Sequence, residues 1–387
     1  LDFFPPRSIL VPTLPRWECI HPMKIIIAPD SFKESLPAHD VAKAIAKGVM
    51  QAAPDANIHC VPMADGGEGT VLAIAQSTPC TLMQSTVRNA LGHPVQATWA
   101  MHDTGTAIIE MASAAGLEQI QPQHRNILRA NTFGVGQLIL EALNRNVKHI
   151  ILGLGGSATN DGGAGMLAAL GIQFKDKNNA LLEPVPEALS RLEKIDLSGL
   201  EPRLAQTAFT LASDVSNPLC GSHGAAAIFG PQKGATPEQA RLLDQIMANY
   251  ADITAITLGR DRRHEQGAGA AGGLGFAGLS FLNARFRPGV EIVAEFAGLA
   301  DLIENADLII TGEGKLDDQT LQGKALAGIA ALAQMHQVPM IVIAGTLGSN
   351  YQALYSQGMT AAFSLCNGPI TLQDAMQHTS SLLQDRS

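Results

Sequence analysis

The chain has 387 residues, of which 46% are hydrophobic and 16% charged, and its formal net charge is -9. This length suffices for two domains with substantial cores, and the low charge content excludes an intrinsically disordered chain. Lysine and arginine form no cluster along the sequence, so neither a nucleic acid nor an anionic membrane is an expected partner.

The cysteines and the first residues indicate where the protein is located. Five cysteines are scattered without a Cys-x-x-Cys pair, so we expect neither a zinc site nor a disulfide framework, and we expect a cytoplasmic location. No apolar run reaches the length of about 18 residues that a transmembrane helix needs. Residues 1–22 are rich in proline and lack the pattern of a signal peptide. We predict that they are a non-native or disordered leader and that Met23 is the natural start.

Beyond the leader, strand-like apolar runs alternate with helical patterns, which is typical of an α/β fold with a parallel sheet. The segment 24–30, KIIIAPD, predicts the first strand. A helix follows, with Ser35 as its expected cap and Pro37 in its first turn. Its apolar face is expected to consist of Val41, Ile45 and Val49. The segment 57–65 predicts a second strand.

The middle of the chain has a different pattern. Turn signals separate short strand-like segments at 81–87, 95–101 and 107–112, which favours antiparallel or mixed strands. Further on, Thr236 followed by Pro237 and Gln239 predicts the start of a helix.

The order of these patterns predicts two domains. Beyond residue 300 the alternation of strands and helices returns, in the segments ADLIITGEG and PMIVIAG. We therefore predict a flavodoxin-like parallel α/β domain, residues 23–79 plus 285–387, with a mixed α/β domain, residues 80–284, inserted into it. The predicted strand at 148–155 fits either domain.

The most glycine-rich segment, Gly153–Met166, follows an apolar run and leads into a helix-like run. Glycine lets backbone N–H groups approach a ligand and a helix N-terminus favours an anion, so the segment predicts a phosphate cradle. Asp161 would repel a bare phosphate, so we expect a cation or a substrate hydroxyl between them. A tight turn without a ligand is the alternative.

The same segment also matches a dinucleotide-binding fingerprint. Gly153, Gly155 and Ala158 have the required spacing, and Asp176 follows about 20 residues later. Asn160 and the neighbouring aspartate at the loop exit argue against this interpretation, as do acidic glycine loops elsewhere that a dinucleotide site does not need.

Acids, glycines and a few lysines follow the predicted strands. These groups are Asp30, Ser31 and Lys33; 65–70; Ser213, Asp214 and Asn217; 311–320; and Ala344 and Gly345. Ligands of open parallel sheets bind beyond the carboxyl ends of the strands. Phosphoryl transfer requires carboxylates, backbone donors and Mg²⁺ together, so the pattern favours that reaction. The sequence has no Walker A motif, so we do not expect a P-loop kinase.

Several long motifs occur in order along the chain: DSFKES, ADGGEGT, GLGGSATNDGGAGM, SDVSNPLCGSHGA, FGPQKGAT, GAGAAGGLG, PGVEIV, TGEGKLDDQT and IAGTLG. Together they resemble the type I glycerate kinase family of bacteria, over essentially everything from Met23 onward. The resemblance implies two α/β domains with the active site between them. It also implies ATP- and Mg²⁺-dependent phosphorylation of D-glycerate to 2-phosphoglycerate in glyoxylate and glucarate breakdown.

Alternatives to this function stay open. They are a glycerate 3-kinase that gives 3-phosphoglycerate, an NAD(P)-binding oxidoreductase and a non-catalytic nucleotide sensor. The protein is also a possible homo-oligomer. Relatives are expected to continue beyond Ser387 through another helical segment.

The expected roles of single residues follow from the resemblance and from the chemistry of the strand ends. The base that orients the substrate hydroxyl is expected to be Asp214 or Asp161. The substrate-binding residues are expected to be Lys33, Ser31, Asp65, Glu68 and Asn160. The nucleotide and phosphate are expected to contact Gly155, Gly156, Ser157, Gly312, Gly314, Lys315 and Gly345. Mg²⁺ is expected to bind Glu313 and Asp317, and Asp65 and Glu68 would also suit a metal contact.

Overall fold

The computed structural model describes residues 22–317 and 324–387. In these residues the strands are β1 Lys24–Ile27, β2 Asn57–Cys60, β3 Cys80–Arg88, β4 Pro94–His102, β5 Thr106–Glu110, β6 His149–Gly153, β7 Gln173–Lys175, β8 Lys194–Asp196, β9 Ala208–Ala212, β10 Arg285–Arg287, β11 Leu308–Leu316, β12 Met340–Leu347 and β13 Ala361–Ser364. Except for Pro22, the predicted leader lies outside the described residues.

The α-helices surround these strands. They are α1 Ala38–Ala52, α2 Thr70–Ser77, α3 Met111–Ala115, α4 Phe133–Leu143, α5 Ala164–Ala169, α6 Pro186–Leu189, α7 Ala225–Phe229, α8 Pro237–Leu258, α9 Ala270–Phe281, α10 Gly289–Phe296, α11 Leu299–Glu304, α12 Lys324–His336, α13 Leu372–Gln377 and α14 Thr379–Arg386. None of the helices described is both long and apolar enough to span a bilayer.

The strands form two large sheets. The first is wholly parallel, in the order β13-β12-β11-β1-β2. The second has the order β10-β9-β6-β5-β4-β3, parallel from β10 to β5 and antiparallel from β5 to β3. This arrangement confirms the predicted α/β class.

One hydrophobic cluster joins the two sheets. It contains Ile26 and Ile309 of the first sheet together with Ile108 and Ile151 of the second. Because these side chains are buried against one another, the positions of the two sheets are coupled through a shared core. The proposed domain limits stay a prediction. Strand β10, at residues 285–287, pairs with β9 in the second sheet.

The two helix starts predicted from capping patterns have different outcomes. Thr236 forms the capping box with Gln239, with Oγ1 accepting the Gln239 N–H at 3.2 Å and Gln239 Oε1 accepting the Thr236 N–H at 2.9 Å. The predicted Ser35 cap is wrong. Pro37 takes the cap position of α1, and the Ser35 hydroxyl instead donates to the Met376 carbonyl at 3.0 Å.

Two strand predictions near the candidate site are also revised. The residues after ADLII were expected to form a loop, but β11 continues to Leu316 because β12 pairs with it along its length. Residues 318–320, the last part of the expected segment 311–320, lie outside the described residues. Asp176 follows a strand of a separate antiparallel pair, so a dinucleotide fingerprint lacks the second parallel strand it needs.

Candidate active site

The carboxyl ends of the parallel strands of the two sheets meet at Gly66. The Gly66 carbonyl accepts the N–H of Gly155, just beyond β6, at 3.2 Å. A Cβ on Gly66 would lie 2.5 Å from the carbonyl oxygen of Ala212, the last residue of β9, and the backbone has φ +92°. Only glycine fits both constraints. This contact, the Gly66 junction, brings the loop after β2 onto the ends of β6 and β9.

The segment Gly153–Met166, the glycine loop, is organised by its own aspartate. The Asp161 carboxylate is fully buried and accepts the N–H and hydroxyl of Thr132, at 2.8 and 2.7 Å, and the N–H groups of Gly163 and Gly165, at 3.2 and 2.9 Å. Burial raises its pKa, while these hydrogen bonds act in the opposite direction. The start of α5 therefore already holds an anion, and that anion belongs to the chain itself.

A buried lysine supports the same loop. Lys233 is 2% exposed, and its ammonium donates to Ser157 Oγ and to the Thr159 carbonyl, both at 2.7 Å. Burial lowers its pKa to about 7, against the opposing influence of the Asp161 charge. Sequence reasoning missed this residue as a functional candidate, because nothing in GPQKG shows that the lysine turns inward.

Acidic side chains gather at the end of the first sheet. Burial, followed by the charge of Asp65, raises the pKa of Asp30 to about 6. Asp30 Oδ1 accepts the Ser31 N–H at 2.6 Å, and Asp65 Oδ1 accepts the Gly67 N–H at 2.9 Å. Asp30 is absent from the predicted site, although its place directly after the first apolar run gave the same signal as its neighbours.

A third acid, Glu110, was also missed. It ends β5 and is 7% exposed, and its Oε1 accepts the N–H of Val71 in the first turn of α2 at 2.6 Å. Burial raises its pKa to about 7. Glu110 thus fixes the start of α2, the helix that follows the loop containing Gly66. Glu68, predicted to bind substrate, is exposed at the surface. Partial desolvation of its carboxyl group, followed by the neighbouring Glu118, raises its pKa.

The extended strand β11 reaches the same edge. The Gly312 carbonyl accepts the N–H of Asp30 at 2.8 Å. A Cβ on Gly345 would lie 2.4 Å from the Gly314 carbonyl oxygen, and a Cβ on Gly314 would lie 3.7 Å from the backbone nitrogen of Lys33. The predicted nucleotide-side glycines therefore lie next to the predicted substrate-side residues Ser31 and Lys33.

The remaining candidates differ in exposure. Asp214 follows β9 and is exposed. Asn160 is fully buried, and neither its Oδ1 nor its Nδ2 has a hydrogen-bond partner within the described part of the chain. Asn217, expected to pair with Asp214, donates its side-chain amide to the His223 carbonyl at 2.9 Å.

The expected Mg²⁺ ligands Glu313 and Asp317 stay a prediction, and the structure offers Asp30 and Asp65 as a second candidate pair. Such a site uses one or two carboxylates together with phosphate oxygens and waters. Asp30 and Asp65 meet this need, because their mutual repulsion would be relieved by a divalent cation. Asp317 is 9% exposed and forms an ion pair with Lys315 at 2.7 Å. Within 22–317 and 324–387 no cluster of three or more histidine, cysteine, aspartate or glutamate side chains forms a metal site.

A sequence profile of the Glycerate kinase family matches residues 25–387. The chain belongs to the glycerate kinase family. It is 45% identical to a glycerate kinase of Bacillus subtilis (strain 168) over 363 residues, which cover 94% of this chain and 95% of that protein. It is 44% identical to the glycerate 2-kinase of Escherichia coli (strain K12) over 356 residues, with 92% and 93% covered.

A solved structure of the family has the same fold. The crystal structure described as a glycerate kinase 2 from Salmonella typhimurium LT2 superposes with a TM-score of 0.82 and 44% sequence identity, covering 95% of this chain and 96% of that chain. These similarities confirm the family expected from the motifs. This glycerate kinase family member is therefore an enzyme of the kinase type.

Proposed function

We propose that the enzyme transfers the γ-phosphoryl group of ATP to the 2-hydroxyl of D-glycerate and releases 2-phosphoglycerate. The name of the Escherichia coli relative, glycerate 2-kinase, supports the substrate and the position of the phosphate. The observation in this chain that carries the proposal is the Gly66 junction. It brings acids from one sheet and backbone donors from the other to a single edge, as phosphoryl transfer requires.

Asp214 is the carboxylate that accepts the proton of the attacking hydroxyl. A general base must reach that proton directly or through one water, and Asp214 is exposed just beyond the end of β9. Asp161 was the other candidate. Its two oxygens are fully buried and accept hydrogen bonds from Thr132, Gly163 and Gly165, so turning toward a substrate would leave several buried donors unsatisfied.

The polar residues around the junction orient the two substrates. The exposed Lys33 ammonium pairs with the carboxylate of D-glycerate, and Ser31 and Glu68 contact its hydroxyl groups. The nucleotide phosphates lie against Gly155, Gly156 and Ser157 of the glycine loop and against Gly312, Gly314, Lys315 and Gly345. Holding the hydroxyl in line with the γ-phosphate supplies a large part of the rate acceleration.

Asp30 and Asp65 are the carboxylates that would hold Mg²⁺. When bound there, the ion neutralises charge on the phosphate oxygens. The pKa of about 6 for Asp30 leaves its carboxyl mostly ionised above neutral pH, the form that binds a cation.

The test of this function is ADP release measured with ATP, Mg²⁺ and D-glycerate, omitting each in turn. We expect ADP only when all three are present. The product is then passed to enolase with and without phosphoglycerate mutase. An immediate enolase signal without mutase identifies 2-phosphoglycerate, whereas a signal that requires mutase would assign the 3-kinase activity instead. No ADP under any condition would overturn the kinase proposal.

A further inference from the structure

The buried contact between Lys233 and Ser157 leaves the serine hydroxyl with a defined role. Lys233 Nζ donates to Ser157 Oγ at 2.7 Å, and a protonated lysine has donors only. The serine oxygen is therefore the acceptor in this contact, and its own O–H proton must point to a different acceptor. Ser157 is 8% exposed, so one side of this residue reaches the surface of the loop.

The backbone around Ser157 is held from both sides. The Gly156 carbonyl accepts the N–H of Leu117 at 2.8 Å, and the N–H of Ala158 donates to the Ala115 carbonyl at 2.9 Å. The second hydrogen bond of Lys233, to the Thr159 carbonyl at 2.7 Å, fixes the next turn of the loop. The position of Ser157 Oγ is thus set by the backbone, and the direction of its O–H is set by Lys233.

Within residues 22–317 and 324–387, the hydrogen bonds of the Lys233 ammonium go to a hydroxyl and a carbonyl and not to a carboxylate. Asp161 affects Lys233 through its field, but the oxygens of Asp161 are used by Thr132, Gly163 and Gly165. A cation that donates to a hydroxyl polarises it, and the hydroxyl becomes a stronger donor in turn. The best acceptor for such a donor is an oxyanion.

We infer that Lys233 is a positioning residue which directs the Ser157 hydroxyl onto an oxyanion of a bound substrate, either a phosphate oxygen of the nucleotide or the carboxylate of the hydroxy acid. This inference rests on the proposed function, because it assumes that the glycine loop faces the reacting substrates. It adds an element that the family comparison does not supply: a buried lysine that acts through a serine.

The test is a double-mutant cycle with Ser157→Ala, Lys233→Met and the combined variant. For each, kcat and KM are measured with D-glycerate varied at saturating Mg²⁺-ATP and with Mg²⁺-ATP varied at saturating D-glycerate. We expect each single variant to lose about tenfold or more in kcat/KM, with KM raised for the same one of the two substrates. The substrate whose KM rises is the one whose oxyanion accepts the Ser157 O–H. The combined variant is expected to be no worse than Lys233→Met alone.

Lys175→Met is the matched control. Lys175 is a partly buried lysine in a 2.7 Å ion pair with Asp196, on a strand outside the proposed site. We expect it to lower the unfolding midpoint while leaving both KM values and kcat unchanged. The inference is overturned if the losses of the two single variants multiply in the combined variant, if they raise KM for different substrates, or if Ser157→Ala has wild-type kinetics.

A second measurement covers the case in which Lys233→Met does not fold, as circular dichroism would show. The ¹⁵N resonance of the Lys233 ammonium is then followed in the wild-type protein and in Ser157→Ala during titration with ADP and, separately, with D-glycerate. We expect one of these ligands to shift the resonance in the wild type and not in Ser157→Ala. Equal shifts in both proteins would overturn the inference. If the wild-type protein releases no ADP, the proposed function is wrong. That outcome is distinguishable from equal shifts in the two proteins, which overturn only the inference about Lys233.

Discussion

The glycine loop and the acidic edge of the first sheet use their polar groups in opposite ways. In the loop, Asp161 is buried and accepts several hydrogen bonds from the chain itself. At the edge, Asp65 is exposed, and its charge helps to raise the pKa of Asp30. The comparison teaches that a fully buried aspartate in the most glycine-rich motif stabilises the scaffold, whereas chemistry is expected where partly or fully exposed carboxylates repel one another.

The largest expected effect concerns Asp214, the exposed acid after β9. Asp214→Asn should lower kcat by about 10²-fold or more, because the amide cannot accept the hydroxyl proton. The unfolding midpoint should stay close to that of the wild type. Steady-state ADP release and a thermal unfolding curve measure the two quantities. Unchanged kcat would exclude Asp214 as the base.

The next effect is on stability and concerns the loop. Asp161→Asn keeps one acceptor oxygen and replaces the other by an NH₂ group. That group faces the Gly163 N–H if it takes the place of Oδ1, or the donors of Thr132 and Gly165 if it takes the place of Oδ2. We expect the free energy of unfolding to fall by about 3 kcal/mol, because buried donors lose their acceptor. Denaturant unfolding measures this change. A variant as stable as the wild type would show that the carboxylate does not organise the loop.

The third effect is a gain of stability at the acidic edge. The pKa of Asp30 is raised to about 6 from its ordinary value of 3.8, so the folded protein holds this proton more tightly than the unfolded chain does. The contribution of Asp30 to stability should therefore fall as pH rises between about 4 and 6 and should be constant above that window. Asp30→Asn removes the cost, and we expect it to be about 3 kcal/mol more stable at pH 8 while it requires more Mg²⁺ for activity.

The pH dependence of unfolding without ligand decides this prediction. The free energy of unfolding of Asp30→Asn minus that of the wild type should grow between pH 4 and 6 and then level off. If the stability advantage of Asp30→Asn over the wild type shrinks over the same window, a favourable partner lowers the pKa of Asp30. The edge would then not be a region of repelling charges.

The smallest effect belongs to a region remote from both. Thr236→Ala removes the capping box of α8 and should cost about 1 kcal/mol with no change in kcat or KM. It serves as the reference for Asp161→Asn, since it shows what a purely structural loss does to the assay. A change in kcat with Thr236→Ala would mean that lost stability alone affects the kinetics.

The fold followed from the sequence where local pattern and tertiary packing agree. The apolar alternation around KIIIAPD and the capping signal at Thr236 are local, and the structure confirms both. The extension of β11 through Leu316 was not predictable in this way. It depends on pairing with β12, a strand that lies more than twenty residues later in the chain.

The candidate site was predictable in its location and less so in its individual roles. Strand-end loops mark where ligands bind in parallel sheets, which is how Asp65, Asp214 and the glycine loop were selected. Whether a given acid is exposed or buried depends on contacts that the sequence does not show. Asp161 and Lys233 are both buried by long-range packing, and their neighbours Thr132 and Ser157 become partners only in the folded chain.

The most direct test of the difference between the buried aspartate of the glycine loop and the exposed acid after β9 is kcat for Asp161→Asn and Asp214→Asn. Both variants are assayed together at a temperature where circular dichroism shows that they are folded. The account predicts that Asp161→Asn retains most of the wild-type kcat, whereas Asp214→Asn loses about 10²-fold or more. The opposite result, with Asp161→Asn inactive and Asp214→Asn active, would contradict it and assign the chemistry to the glycine loop.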